Sequence, residues 1–250
     1  MTRFDLHGRV AMVTGCNKGL GQGLAVALAE AGADIVGVSR RPADETRSRI
    51  EALGRRYIGV EAELGRDAPD SIVARALEAA GQLDILVNNA GTIRRAPALE
   101  FSEEDWDAVV DVNLKAAFFL AQAVARHLVA RDAPGRIVNI ASVLSFQGGI
   151  RVPSYTASKS GILGLTRLLA NEWAAHGITV NAIAPGYMAT DNTQALRDDP
   201  TRSAEILGRI PAGRWGTPED LAGAIIFLCS DAASYVNGHA LAVDGGWLAR

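Results

Sequence analysis

Val10-Ala11-Met12-Val13-Thr14-Gly15-Cys16-Asn17-Lys18-Gly19-Leu20-Gly21 decides how this 250-residue chain folds. Its first four residues are an apolar run that a strand buried on both faces would carry. The run breaks at Gly15, and from Leu20 onward the apolar residues recur at helical spacing. Glycines at the junction let the backbone turn tightly and come close to a bound group. The N-terminus of the following helix adds free N–H groups and the positive end of a dipole. That is the chemistry of a pyrophosphate cradle. The spacing is Gly-x-x-x-Gly-x-Gly, not Gly-x-Gly-x-x-Gly, and an unliganded tight turn is the plain alternative. Its place between a first strand and a first helix favours the ligand. No Gly-Lys-Ser/Thr ending follows, which argues against a nucleotide triphosphatase, and Thr14 and Cys16 read as local packing residues.

Outward from this turn, apolar runs at Ile35–Val38, Tyr57–Val60, Ile85–Val87, Ile137–Ile140, Thr179–Ile183 and Ala240–Val243 are bounded by Gly, Asp or Asn. Helical patterns lie between them, at Leu20–Ala31, Ala43–Leu53, Ser71–Ala80, Glu103–Arg131, Ser154–Ala175 and Pro218–Ser230. Unbroken strand–helix alternation predicts one α/β domain over residues 1–250, a doubly wound parallel sheet of about seven strands with helices on both faces. The polar stretch Asp191–Pro211, which contains Pro200, interrupts the alternation and suits a lid over a site.

The bulk numbers exclude other classes. With 48% hydrophobic residues the chain can build a sizeable core, and a net charge of −3 leaves no strongly basic face for nucleic acid. Cys16 and Cys229 fit no zinc spacing and no disulfide framework; no metal is expected, and a reducing cytoplasm is the natural home. Met1 to Val10 lacks the apolar core of a signal peptide, and no apolar stretch approaches the length of a membrane span.

Tyr155 and Lys159 stand four residues apart near the start of a helical pattern, so both project from one face. Ser142 follows the Ile137–Ile140 strand, at the carboxyl edge where open α/β sheets bind ligands. Ketone reduction needs a proton at oxygen as hydride reaches carbon. A free tyrosine, with a pKa of about 10, holds its proton too tightly to act as a base near neutrality. A nearby lysine ammonium and a positive nicotinamide would favour the phenolate, and Ser142 would stabilise charge on the substrate oxygen. Asn113, inside the fourth helical pattern, can hold a water in a relay to Lys159 or simply make structural hydrogen bonds. Taken alone, Tyr-x-x-x-Lys can be an exposed pair worth about 0.2–0.5 kcal/mol; together with Ser142 and the glycine turn, chance explains it poorly.

With these residues in place, the whole chain resembles the short-chain dehydrogenase/reductase family. The matching pieces are Thr14–Gly21, Asn88-Asn89-Ala90-Gly91, Asn113, Ser142, Tyr155 with Lys159, Pro185-Gly186 followed by Thr190, and Val243-Asp244-Gly245-Gly246. The resemblance implies a Rossmann-type NAD(P)-binding domain in which Ser142, Tyr155, Lys159 and Asn113 carry catalysis. It implies a cofactor lined by Gly15, Asn17, Gly19, Leu20, Gly21, Ser39, Arg40, Glu63, Leu64, Asn89, Ala90, Gly91, Tyr155, Lys159, Pro185, Gly186 and Thr190. It also implies a homotetramer, with the Trp247–Arg250 tail near a subunit contact.

Stretches 93–95, 98–102, 145–153, 171–173, 184–190 and 209–216 resemble the branch of the family that acts on sugar acids, at C5 of gluconate or 2-keto-3-deoxygluconate. Arginines suit a carboxylate. Arg95 and Arg151 are therefore candidates for the substrate carboxylate and Gln147 for a sugar hydroxyl, with surface ion pairs the plain alternative for the arginines, Arg94 included. Cofactor choice pulls two ways. Ser39 and Arg40 end the second strand where NAD enzymes usually carry an acidic residue, which favours NADP(H), whereas the sugar-acid branch is associated with NAD(H). Glu63 stands where the family usually has aspartate. Two further readings are reduction of a 3-ketoacyl thioester and a non-catalytic nucleotide sensor; the retained tyrosine and lysine weigh against the sensor.

Overall fold

The computed structural model describes residues 3–250, so Met1 and Thr2 of the N-terminal reading lie outside the described residues. All seven apolar runs are strands. In chain order the elements are β1 (Val10–Thr14), α1 (Gly19–Glu30), β2 (Asp34–Ser39), α2 (Asp44–Ala52), β3 (Tyr57–Glu61), α3 (Pro69–Ala80), β4 (Ile85–Asn88), α4 (Glu103–Val110) and α5 (Ala117–Ala130). There follow β5 (Gly135–Ile140), α6 (Pro153–Trp173), β6 (Ile178–Pro185), α7 (Gln194–Asp198), α8 (Pro200–Arg209), α9 (Ala222–Cys229) and β7 (Ala240–Val243). The strands form one sheet in the order β3-β2-β1-β4-β5-β6-β7, and every pairing is parallel. The order reverses between β1 and β4, which is where a doubly wound sheet opens a crevice at its carboxyl edge.

Alternation along each strand divides the core into two layers. Ala11 and Val13 of β1 join Ile35, Val87, Val138 and Ile183 in a core built against α1 and α9. Val10 and Met12 point the other way and join Val36, Leu86, Ile137 and Val180 against α3 and α5. Both faces are covered, which is why the strands read as continuous apolar runs rather than alternating ones.

Two regions depart from the sequence reading. The pattern over Glu103–Arg131 is not a single regular helix: Asp111–Ala116 forms a π-helical turn between α4 and α5. Helix propensity runs through such a turn unbroken, so periodicity hides it; the wider turn buries Asn113. Taken as one rod, Glu103–Ala130 is long and apolar enough to cross a membrane, but half of that apolar stretch is buried inside this fold. The second region is the polar stretch Asp191–Pro211, for which the sequence suggests a lid. It is a 3₁₀ turn (Asp191–Thr193) followed by α7 and α8. Asp199 caps α8 by accepting from the backbone N–H groups of Thr201 and Arg202 at 3.0 and 3.1 Å, and Pro200 occupies the first turn. Ile206 and Ile210 from this segment pack with Val143 and Trp247 in a separate small core.

Candidate active site

The β1 and β4 ends are stitched together by one hydroxyl. Thr14 Oγ1 accepts from the backbone N–H groups of Asn89 and Ala90 at 3.0 and 2.9 Å and donates to the Val87 carbonyl at 3.3 Å. Asn89 Nδ2 returns a hydrogen bond to the Thr14 carbonyl at 2.8 Å. The local packing role expected of Thr14 is therefore to fix the crevice between the Gly15 turn and the Asn89-Ala90-Gly91 loop. Gly15 has φ of +68°, and a side chain there would meet Ala90 at 3.0 Å. At Gly21 a Cβ would lie 2.1 Å from the Gly15 carbonyl oxygen. The first turn of α1 holds no acidic residue, and no side chain caps it. A glycine-only approach to an uncapped helix N-terminus fits the pyrophosphate of a dinucleotide. Asn17 and Leu20 are half-buried in the same turn, and the Thr190 methyl faces Gly19 from across the crevice.

At the far side of β4, Ser142, Tyr155 and Lys159 come together. Ser142 lies just past the end of β5 and opens a 3₁₀ turn: its Oγ accepts from Leu144 N–H at 3.1 Å, and its own N–H donates to Ser145 Oγ at 3.2 Å. Ser145 Oγ in turn donates to the Lys159 carbonyl at 2.6 Å, so the Ser142 turn is bolted to α6. Lys159 is buried; its Nζ donates to the Ile140 carbonyl at 2.5 Å and lies 5.7 Å from the Tyr155 ring centroid.

Burial pushes the Lys159 ammonium down to about 8. It pushes the Tyr155 phenol up, while the Ser142 hydroxyl and the Arg95 charge pull it back. Within the protein alone desolvation dominates, and the groups that oppose it are Ser142 and Arg95. The Asn113 amide makes three hydrogen bonds within the fold. Oδ1 accepts from Thr92 N–H at 2.8 Å, and Nδ2 donates to the Thr92 carbonyl at 3.0 Å and to Ser158 Oγ at 3.2 Å. The structural hydrogen bonds expected of its side chain as one of two roles are present.

The mouth of the crevice sorts the remaining candidates. Arg95 donates to the Asn192 carbonyl, in the 3₁₀ turn before α7, at 3.1 Å, and its charge pulls the Tyr155 phenol down. Arg94 instead pairs with Asp105 at 3.1 Å, the surface role given as its alternative. Arg151 is exposed with φ of +62°, and its carbonyl accepts from Ala96 N–H, which joins the two arginine-bearing loops. Gln147 Oε1 accepts from Arg209 on α8 at 3.0 Å. On the cofactor side, Ser39 Oγ donates to the Arg41 carbonyl at 2.7 Å, and Arg40 is exposed. The Glu63 carboxylate pairs with Arg66 at 3.1 Å, and Leu64 packs on the core. Pro185 ends β6, and Gly186 lies so close to Asp244 that a Cβ would meet it at 2.6 Å. Thr190 and Thr193 cap the lid turn reciprocally. Ser145, Thr92, Ser158 and Arg209 are not singled out by the sequence. Each acts through a contact with a distant segment or through backbone atoms, and only Ser145 and Arg209 sit in stretches that the family resemblance marks.

A doubly wound parallel sheet with this serine, tyrosine and lysine at its carboxyl edge defines a class. The chain belongs to the short-chain dehydrogenase/reductase family and is an oxidoreductase of the kind that acts on CH–OH groups. A family model described as enoyl-(acyl carrier protein) reductase matches residues 15–248. The chain is 61% identical to the 2-dehydro-3-deoxy-D-gluconate 5-dehydrogenase of Escherichia coli, over 100% of this chain and 99% of that one. A protein from Agrobacterium tumefaciens, solved with bound NADP and provisionally assigned as a 2-deoxy-D-gluconate 3-dehydrogenase, superposes with a TM-score of 0.95. It is 59% identical, with all of both chains covered. A gluconate 5-dehydrogenase from Burkholderia cenocepacia, solved with NADP and tartrate, gives 0.94 at 42% identity, over 99% and 98% of the two chains.

Proposed function

We propose that this chain interconverts a ketone and a secondary alcohol on a sugar acid, at C5 of 2-keto-3-deoxygluconate or gluconate, with NADP(H) as the preferred partner. The observation that carries the reading is the meeting of Tyr155 with buried Lys159, whose Nζ lies 5.7 Å from the phenol ring centroid, just past the carboxyl end of β5, with Arg95 offering a guanidinium to a carboxylate at the mouth of the crevice. The named activities of the E. coli and Burkholderia relatives support the substrate class, and the NADP in two related structures supports the cofactor. Exposed Arg40 beside Ser39 offers a cation to a 2′-phosphate and no carboxylate to repel it. The Gly15–Gly21 turn and α1 would hold the pyrophosphate, and Asn89, Ala90, Gly91, Pro185, Gly186 and Thr190 would line the rest. When bound, the cofactor exchanges a hydride with the substrate carbon.

In the reductive direction Tyr155 Oη passes its proton to the substrate oxygen, while Ser142 Oγ donates a hydrogen bond to that oxygen and stabilises its growing charge. The Lys159 ammonium, anchored on the Ile140 carbonyl, favours the phenolate that Tyr155 becomes. In the oxidative direction the same phenolate takes the proton. Asn113 holds the Thr92 loop against α6 so that the two halves of the crevice keep their spacing. α7 and α8, reached by Arg95 through Asn192, act as the lid. A homotetramer in the cytoplasm completes the reading; partly exposed Trp106 and Phe119, on α4 and α5, support self-association, and two free, buried cysteines support a reducing compartment.

The family model's description keeps an acyl-thioester substrate in play as the second reading. Nicotinamide absorbance with NADPH or NADH, against 2,5-diketo-3-deoxygluconate, 5-ketogluconate and an acetoacetyl thioester, separates the two. Turnover of a sugar acid that is lost in Tyr155→Phe, with cofactor binding retained, is the expected result. Turnover of the thioester alone overturns the substrate, and a Tyr155→Phe variant with a near-normal rate overturns the proton carrier.

A further inference from the structure

Gln147 stands in the short loop after Ser142 and is gripped from behind by the lid. The Arg209 guanidinium donates to Gln147 Oε1 at 3.0 Å. A guanidinium has donors and no acceptor, so the amide atom facing it is the oxygen, and Nε2 turns away from Arg209 with both protons available. Arg209 is itself held. Its guanidinium carbon lies 4.0 Å from the ring centroid of Trp247, which is buried and packs on Tyr187 at 4.5 Å. Its carbonyl accepts from Arg250 Nε at 3.1 Å, and the Gly208 carbonyl accepts from Arg250 Nη2 at 2.6 Å. The small core beneath includes Val143, next to Ser142, so this arm starts beside the proposed catalytic serine and returns to the same loop.

The geometry points to Arg209 as a positioning residue that fixes the Gln147 amide with only its donors turned to the substrate, which makes Gln147 selective for an oxygen acceptor. The inference rests on the sugar-acid reading above and deepens it: Gln147, Arg95 and Arg151 then present donors alone, which suits a carboxylate and ring-opened sugar oxygens and offers nothing to an acyl chain. A free glutamine would present either end of its amide. One held by Arg209 presents one, and its preference for acceptors is built in before any ligand arrives.

The decisive variant is Gln147→Glu. It has the same shape and keeps or strengthens the Arg209 contact, but it removes every donor and adds a negative charge. If Gln147 only braces the loop, this variant is tolerated. If it donates to the substrate, KM for the sugar acid rises about tenfold or more, with KM for NADPH unchanged. Arg209→Ala should raise the sugar-acid KM several-fold, Arg209→Lys should recover part of the loss, and Arg209→Ala should add nothing to Gln147→Ala. A Gln147→Glu enzyme with wild-type sugar-acid KM, or full additivity of the two alanine changes, overturns the inference while leaving the proposed function intact. A wild-type enzyme that turns over neither sugar acid overturns both.

Discussion

Lys159 makes a measurable claim about stability that does not depend on turnover. Its ammonium is buried and has its pKa pushed down to about 8, against 10.5 for the free side chain. The folded chain therefore sheds this proton near pH 8, while the unfolded chain keeps it to about 10.5. Between those values unfolding takes up a proton, so raising the pH favours the folded state through this group; as the pH falls back through 8, the full penalty of the buried charge returns. At 1.36 kcal/mol per pH unit, the gap is worth about 3 kcal/mol. Other groups act in the opposite sense: burial pushes Cys16, Cys229, Tyr57 and Tyr155 up, and their contributions are lost as the pH rises. The wild-type trend alone is a mixture. The informative quantity is the difference between wild type and Lys159→Met, which keeps the apolar stem and removes the charge. Urea unfolding at intervals from pH 7 to 10.5 should show wild type gaining about 3 kcal/mol on the variant, nearly all of it above pH 8. A difference that stays flat across that range refutes the argument that Lys159 is held charged against a desolvation penalty.

Two further substitutions test the cofactor half of the crevice. Gly21→Ala places a methyl 2.1 Å from the Gly15 carbonyl and must deform the turn; an overpacking cost of about 1–3 kcal/mol predicts NADPH binding about tenfold weaker or more, read by fluorescence titration, and unchanged affinity would remove the turn from the site. Ser39→Asp sets a carboxylate beside the place of a 2′-phosphate and should reverse the NADPH-to-NADH ratio of kcat/KM by about tenfold or more; a ratio that does not move would separate cofactor choice from this loop.

What could be read from residues and what could not divides by range. The strands were legible because Val10–Val13 and its six counterparts are apolar on both sides, and the strands differ from those runs by at most two residues at an end. Ser142, Tyr155 and Lys159 were legible because the chemistry demands those groups at a helix start and a strand end, both local events. Helix α8 was not foreseen, although Asp199-Pro200 carries a helix-start signal, because the polar composition around it dominated the reading. The π-helical turn around Asn113 left no trace in periodicity. The Ser145 bridge to Lys159 and the Arg209 contact with Gln147 join residues 14 and 62 positions apart, and only the folded chain reveals that they meet.

The small core that joins Val143 to Ile206, Ile210 and Trp247 has a consequence for how the protein is made. A ribosome delivers the chain from its N-terminus, and β1 already has β2 and β4 to pair with once residue 88 has emerged. The wall that carries Ser142 waits far longer, because part of its packing partner is Trp247. Synthesis therefore supplies the strands around β1 early and the packing behind Ser142 much later. A chain stalled or clipped shortly before Trp247 would keep the strands of its cofactor cradle while lacking the ring on which Val143, Ile206 and Ile210 pack.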